Sequence, residues 1–163
     1  MASISANPAI LNPGRRLLDL AGCFAALLLS IVMSLSPAFA AEIPSDDEQD
    51  VLIRTTLMTF NDANMTGNYA VLSAKASKQF QAQLTAEQLS TSFEPFRKNQ
   101  LFFEGVVTAD YDSYEKAKFD AEGALVLAGI FKTEVIRVKY QLRFVQNNKV
   151  WKLLGINVDA TKL

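Results

Sequence analysis

The C-terminal part of the chain alternates apolar and polar residues, the pattern of strands that bury one face. Residues 135–158 read VIRVKYQLRFVQNNKVWKLLGINV. Two asparagines interrupt the alternation, and both tolerate the positive φ angles of a two-residue hairpin turn. We therefore predict a hairpin with its turn at Asn147-Asn148. The predicted strands are 101–110, 123–131, 135–145 and 149–158.

Residues before this region follow the three- and four-residue spacing of amphipathic helices. Ser45 and Glu48 form a capping box that predicts a helix start, and Gly67 predicts its end. Shorter helical segments are predicted from Asn68, from Ser77 and from a second capping box at Thr85. Helices followed by strands indicate an α+β fold with N-terminal helices packed on a curved, mostly antiparallel sheet.

The predicted turn assigns partners across the hairpin. It pairs Phe144 with Trp151, Leu142 with Leu153, Tyr140 with Gly155 and Val138 with Asn157. This face is aromatic and apolar, so we assign it to the interior. Asn157 is then either a core amide satisfied by the backbone or a polar contact in a pocket.

The opposite face of the predicted hairpin combines basic and apolar residues, and it places Arg143 opposite Lys152. A mixed face of this kind is not expected to be fully exposed to solvent, so we predict that other protein residues pack on it. These residues belong either to a second copy, which makes a homodimer, or to a segment of the same chain. In the second case, the aromatic and apolar face is the exposed one. The candidate dimer-interface residues are Arg137, Lys139, Leu154, Ile156 and Val158.

The first forty residues have the pattern of a bacterial export signal. Arg15 and Arg16 precede an uncharged stretch over 20–40, which ends in Ala38-Phe39-Ala40. We expect cleavage before Ala41, a periplasmic or secreted location, contact with the membrane only during export, and a single domain over 41–163. An uncleaved membrane anchor, lipidation of Cys23 and a twin-arginine route remain alternatives.

The composition of the chain limits the catalytic groups and metal ligands that it can supply. The chain has a net charge of −1, one Cys and no His, which removes the commonest general base and metal ligand. We therefore expect no metal. There is no glycine-rich phosphate loop, and we expect no cofactor. The basic residues on the hairpin are weak evidence for nucleic acid, which we do not expect as a partner.

Four segments resemble the nuclear transport factor two-like superfamily, especially its small secreted bacterial members of unknown role. They read TFNDANMTGNYAVL, LSTSFEPFRKN, GALVLAGIF and LRFVQNNKVWKLLGINV. The resemblance implies a cone in which helices close one side of a curved sheet and leave a cavity at the wide end. It also implies that dimers form through the outer face of the sheet. Such domains include isomerases, dehydratases, cyclases and binding modules, so the resemblance leaves the function open.

We predict an exported, non-enzymatic ligand-binding or scaffolding domain with a small apolar pocket. The alternative is a His-free isomerase or dehydratase that uses a buried Asp, either Asp62 or Asp110, with a Tyr. In isolation, Asp62 is more typical of a solvated residue, Asp110 of a turn residue, and the aromatic residues of a core. The candidate pocket residues are Asp62, Tyr69, Phe96, Tyr140, Trp151 and Asn157.

Overall fold

The computed structural model describes residues 42–163, so the predicted signal sequence and Cys23 lie outside the described residues. Within residues 42–163, five α-helices are followed by a 3-10 turn and then by five strands. The helices are α1 Asp46–Thr66, α2 Ala70–Lys75, α3 Lys78–Gln83, α4 Ala86–Ser92 and α5 Glu94–Lys98. The 3-10 turn is Glu104–Val107, and the strands are β1 Tyr111–Tyr114, β2 Lys118–Phe119, β3 Leu125–Lys132, β4 Ile136–Asn147 and β5 Val150–Lys162.

The helix starts are determined by local capping, as the sequence predicts. The Ser45 side chain accepts from the Glu48 amide, and the Glu48 side chain accepts from the Ser45 amide. Gly67 ends α1 in the left-handed conformation with φ of 72°. Thr85 and Gln88 form the second capping box at α4. These contacts satisfy amides that a helix leaves unpaired at its start.

The sheet is antiparallel, curved and open, with the order β1-β3-β4-β5, and β2 pairs with β3 as well. Helices followed by this sheet confirm the α+β fold. The buried side of α1, including Leu57 and Phe60, shares one core with the inner face of the sheet, including Leu127, Phe131 and Leu142. Among the described helices, none is both long enough and apolar enough to span a bilayer.

The predicted strand over 101–110 is wrong. This segment holds the 3-10 turn, and the first strand begins only at Tyr111. Phe103 and Val106 lie three positions apart, and both are buried. That spacing suits a helical turn and not the period of two that a strand requires.

The predicted turn and pairing of the hairpin are also wrong. Asn148 and Lys149 have φ of 50° and 63° and form the turn, one residue later than predicted. Phe144 consequently pairs with Leu153 instead of Trp151. The pairing then shifts by one residue next to Phe144, a β-bulge that reverses the faces of the rest of β5.

The bulge determines which residues of β5 face the core. Leu142 lies opposite Ile156, Tyr140 opposite Val158, and Val138 opposite Ala160. All three pairs lie on the inner face, so this register buries more apolar surface than the predicted one. Asn157 pairs instead with Gln141 on the outer face and is exposed.

Arg143 does not oppose Lys152. It lies opposite Gly155, and its Nη2 contacts carboxylate oxygens of Asp120 at 2.7 Å and Glu122 at 2.6 Å in the same chain. Backbone amides and Arg143 both hold the pKa of Asp120 below its usual range. The charge of Arg143 is therefore compensated without a second copy.

Candidate ligand-binding site

A cavity of about 280 Å³ lies between the first turns of α1 and the inner side of the sheet. Its volume is near the lower end for ligand pockets, which suits a small molecule. Tyr114 is 74% exposed and stands at the mouth. The lining residues are Asp46, Asp47, Gln49, Asp50, Ile53, Tyr111, Tyr114, Glu115, Leu127, Ala128 and Tyr140.

Tyr140 lines the inner end of this cavity, and its hydroxyl is buried against the neighbouring strand. The residue is 2% exposed, and its Oη has no hydrogen-bond partner among the described residues. Its ring stacks on Phe131 with centroids 5.6 Å apart. Burial raises the pKa of Tyr140 well above its ordinary value, so the hydroxyl stays protonated at neutral pH. It can both donate and accept a hydrogen bond.

Gly129 on the neighbouring strand gives Tyr140 its space. The two residues are cross-strand partners, and a Cβ at Gly129 would lie 2.6 Å from the Tyr140 Oη. Gly155, which the predicted register placed opposite Tyr140, lies opposite Arg143 instead. The orientation of the Tyr140 ring therefore depends on a residue without a side chain at 129.

Tyr111 forms a wall of the cavity and is held there by Asp50. The Tyr111 hydroxyl donates to Asp50 Oδ1 at 2.6 Å, and Arg54 Nε lies 2.8 and 2.9 Å from the two carboxylate oxygens. The Arg54 guanidinium also lies 5.3 Å from the Tyr111 ring centroid. Burial, together with the hydrogen bond to Asp50, raises the pKa of Tyr111, so Tyr111 is a neutral donor.

Arg54 also connects α1 to the segment that leads into β1. Its Nη1 donates to the carbonyl of Val106, and at 3.1 Å to those of both Val107 and Ala109. One planar guanidinium therefore organises a carboxylate and three carbonyls. Contacts within the chain therefore hold Tyr111 in the wall of the cavity without a ligand.

Tyr69 belongs to a separate buried polar cluster. Its hydroxyl donates to Asn64 Oδ1, while Asn61 Oδ1 accepts from the Phe103 amide at 2.9 Å. Burial raises the pKa of Tyr69, and the nearby Arg97 opposes this effect. Asn64 Nδ2 and Arg97 Nη1 are buried without partners among the described residues. None of these residues lines the cavity beside Tyr140.

Of the six predicted pocket residues, only Tyr140 lines the cavity. Phe96 packs against Phe60 with ring centroids 5.4 Å apart, and Trp151 lies 6.4 Å from Phe119. Both aromatic residues are therefore part of the periphery of the core. They were assigned to the pocket because an aromatic residue in a core and one in a pocket look alike in sequence.

The polar candidates also lie elsewhere. Asp62 is exposed on α1, Asp110 is exposed just before β1, and Asn157 is exposed on the outer face. None of the three lines the cavity. A buried Asp62 or Asp110 beside a tyrosine, which the alternative enzyme hypothesis requires, is therefore not found.

Sequence reasoning missed Asp50 and Tyr111. Asp50 and Arg54 have the four-residue spacing of a helix ion pair, and they border the buried residues Ile53 and Leu57. That spacing could have indicated Asp50. Tyr111 was hidden by the incorrect strand bounds and lies 61 residues from Asp50 in the chain.

The predicted dimer interface does not form one surface. Arg137 and Lys139 are exposed on the outer face, and Leu154 is half-buried at the bulge. Ile156 and Val158 lie on the inner face, where Val158 is only 7% exposed. The apolar stripe from which the dimer was inferred is therefore absent. The homodimer stays a prediction without that support.

Comparison of the chain with protein families, curated proteins and solved structures found no match in any of the three. The resemblance to the nuclear transport factor two-like superfamily accordingly stays a prediction. The geometry of residues 42–163 is the basis for assigning a function.

Proposed function

We propose that residues 42–163 form an exported, non-enzymatic domain that binds a small ligand in the cavity between α1 and the sheet. The cavity itself carries this proposal, because apolar and aromatic side chains line it and Asp50 and Arg54 hold Tyr111 in its wall.

The remaining lining fits the body of such a ligand. Ile53, Leu127 and the tyrosine rings offer apolar surface, and Gln49 and Asp50 of α1 offer polar groups. Ligand sites commonly combine apolar walls with a few polar groups that orient the molecule. Because Asp50 and Arg54 already hold Tyr111, the site pays little ordering entropy when the ligand binds.

The alternative, a His-free isomerase or dehydratase, needs a carboxylate that is free to accept a proton. Asp50 is the half-buried carboxylate of the lining, and its oxygens already accept from Arg54 and Tyr111. Both oxygens of Asp50 are therefore already engaged by other side chains of the site. This geometry favours binding over catalysis.

The same proposal places the domain outside the cytoplasm, after removal of residues 1–40. The uncharged stretch over 20–40 and its Ala38-Phe39-Ala40 end support this part of the proposal. Membership of the nuclear transport factor two-like superfamily is supported by helices that precede a curved antiparallel sheet and by a cavity between them.

Binding can be tested by NMR titration with benzyl alcohol, benzylamine and benzoate, which share a ring and differ in polar group. We expect at least one to shift the ring signals of Tyr111, Tyr114 and Tyr140 saturably. Tyr111→Ala should weaken that binding at least roughly tenfold, because it removes an aromatic wall of the cavity. Asn157→Ala on the outer face is the matched control and should bind normally. Binding by none of the three compounds, or equal binding by Tyr111→Ala, overturns the proposal.

A further inference from the structure

The last strand, β5, forms a long edge of the sheet. It runs from Val150 to Lys162 and pairs only with β4 in the described sheet, whereas the other edge is made by the short strands β1 and β2. Along an edge strand, alternate backbone N–H and C=O groups point away from the neighbouring strand. Among residues 42–163, the Leu153 carbonyl accepts from the Ser77 amide at 2.8 Å, and no backbone group of 154–162 hydrogen-bonds outside the ladder with β4. The edge over 154–162 is therefore open to another strand.

This open edge lacks the features that usually keep other strands away. Proteins protect edge strands with Pro, with Lys, with bulges or with a covering segment. The bulge of β5 and the contact with Ser77 both lie at or before Gly155. Residues 155–161 read GINVDAT, with no Pro, Lys or Arg. The pairing of this stretch with β4 is regular, so its outer edge can template one more strand.

The side chains of this stretch are complementary to a second copy of themselves. An antiparallel pair centred on Val158 joins inner face to inner face, because residues of equal parity meet. It places Val158 opposite the partner's Val158, and Ile156 opposite the partner's Ala160. On the outer face it places Asn157 opposite the partner's Asp159. Val158 and Ala160 are buried in one chain and Ile156 is half-buried, so the pair extends an existing core.

Charge and length favour this centre over its neighbours. Asp159 is exposed and forms no ion pair with a Lys or Arg of residues 42–163. In the pair centred on Val158, its carboxylate can accept from the amide of the partner's Asn157. Centring on Asp159 opposes two like charges. Centring on Asn157 shortens the pairing, because Ser77 already occupies the edge at Leu153.

We infer that the edge of β5 is an interface for a second copy of this chain. Two sheets join into one through an isologous antiparallel pair over 154–162. The pair forms about eight to ten backbone hydrogen bonds. This interface differs from the outer face of the sheet, which the sequence predicted, and no residue of β5 lines the cavity. The dimer and the ligand proposal are therefore independent.

The oligomeric state is measured on the full chain, expressed with residues 1–40 and purified in the form that the cells accumulate. A single added strand makes a small interface, so we expect a dissociation constant of roughly 10–100 μM. Sedimentation velocity from about 1 to about 500 μM protein should follow the conversion of monomer to dimer. A chain that stays monomeric over this range overturns the inference.

Two isosteric substitutions distinguish the edge of β5 from the outer face of the sheet. Asn157→Asp places an aspartate opposite the partner's Asp159 at both symmetric positions, and it should weaken the dimer roughly tenfold. Gln141→Glu is the matched control, because Gln141 is exposed on the outer face opposite Asn157 but belongs to β4, one strand away from the interface. It should leave the dissociation constant unchanged. Equal weakening by both substitutions indicates a dimer through the outer face and overturns the inference.

Exchanging the two outer-face residues tests the register. Asn157→Asp combined with Asp159→Asn again places an amide opposite a carboxylate at both positions, so the dissociation constant should return to within about twofold of the native value. A double variant as weak as Asn157→Asp alone contradicts the inference. Urea unfolding at about 1 μM protein, where the chain is monomeric, should give every variant the native midpoint and so show that the fold is intact.

A distance measurement tests the pairing with the interface side chains in place. A spin label at Thr161→Cys, in a Cys23→Ser chain, lies about 10 Å along the strand from the two-fold axis at Val158, at about 3.4 Å per residue. The two labelled backbones are then about 20 Å apart, and pulsed EPR on the dimer should give roughly 20–30 Å between the labels. A dimer with no distance below about 40 Å overturns the inference and leaves the ligand proposal untouched.

Discussion

Replacing Gly129 by alanine tests the packing that orients Tyr140. A Cβ at this position would lie 2.6 Å from the Tyr140 Oη, 3.0 Å from its Cζ and 2.8 Å from the Ser113 carbonyl oxygen. These distances are too short for nonbonded atoms, so the tyrosine ring or a strand must move. At Gly155, a Cβ would come no closer than 3.5 Å to the Arg143 side chain, an ordinary contact. Gly155→Ala is therefore the matched control.

The expected cost is the difference between two effects. Overpacking a buried site costs about 1–3 kcal/mol. Exchanging Gly for Ala in a strand returns about 0.5–1 kcal/mol. Gly129→Ala should therefore lower the free energy of unfolding by about 1–2 kcal/mol. Gly155→Ala should leave it unchanged or raise it by a few tenths of a kcal/mol.

A double-mutant cycle with Tyr140→Phe isolates the contact, because the shortest distance involves the hydroxyl. Removing that hydroxyl should recover about 1 kcal/mol in the Gly129→Ala background beyond its effect in the native chain. The contact with Ser113 should prevent complete recovery. Urea unfolding of the four chains measures the coupling. A larger loss at Gly155 than at Gly129 would show that Tyr140 faces β5 as the sequence predicted, and would refute the reasoning.

Three further predictions concern the register, the tyrosines and Arg54. Val158→Glu should destabilise the domain by at least about 3 kcal/mol in urea unfolding, because it buries a charge on the inner face. Asn157→Glu, on the outer face, should change the free energy of unfolding by less than about 0.5 kcal/mol. Equal effects of the two substitutions would contradict the bulge. The pKa values of Tyr111 and Tyr140 are raised above 10.0 in the folded chain, so the unfolded chain loses these protons first. Below about pH 10 the free energy of unfolding should therefore not depend on the ionisation of either tyrosine, and it should fall as the pH rises further. The fall should be less steep in Tyr140→Phe. A free energy of unfolding that stays constant from about pH 9 to about pH 11 would contradict this expectation. Arg54→Lys should lower the free energy of unfolding by about 1–3 kcal/mol, because an ammonium cannot bind the carboxylate and the three carbonyls together. The NMR signals of the Tyr111 ring should shift in the same variant.

The helices were predictable because their ends are determined by neighbours in sequence. Ser45 with Glu48, and Thr85 with Gln88, are contacts between residues three apart, and both capping boxes form as predicted. Gly67 likewise ends α1 through its own φ angle. Signals of this kind need no knowledge of the rest of the fold.

The register of the hairpin was not predictable from its turn residues. Asn147-Asn148 is the better pair for positive φ, yet Asn148 and Lys149 adopt it. The choice depends on burial along the whole of β5, where the bulge brings Val158 and Ala160 to the inner face. A bulge leaves no local mark in an alternating sequence, and a shift of one residue reverses the faces.

The cavity was only partly predictable for a similar reason. Tyr140 was found because it follows the strand alternation, whereas Asp50 and Tyr111 meet across 61 residues. The position of the Tyr140 ring depends on the absent side chain at Gly129, on a strand whose pairing with Tyr140 is nonlocal. A small binding site assembled from separate elements has no spacing rule in sequence.

The central claim is that the cavity between α1 and the sheet receives a small ligand. A crystal structure of the full chain, determined with and without the most tightly bound of the three aromatic compounds, tests it most directly. We predict that the ring of the compound lies in the cavity and contacts Ile53, Leu127 and Tyr111. A compound bound only outside this cavity would contradict the account.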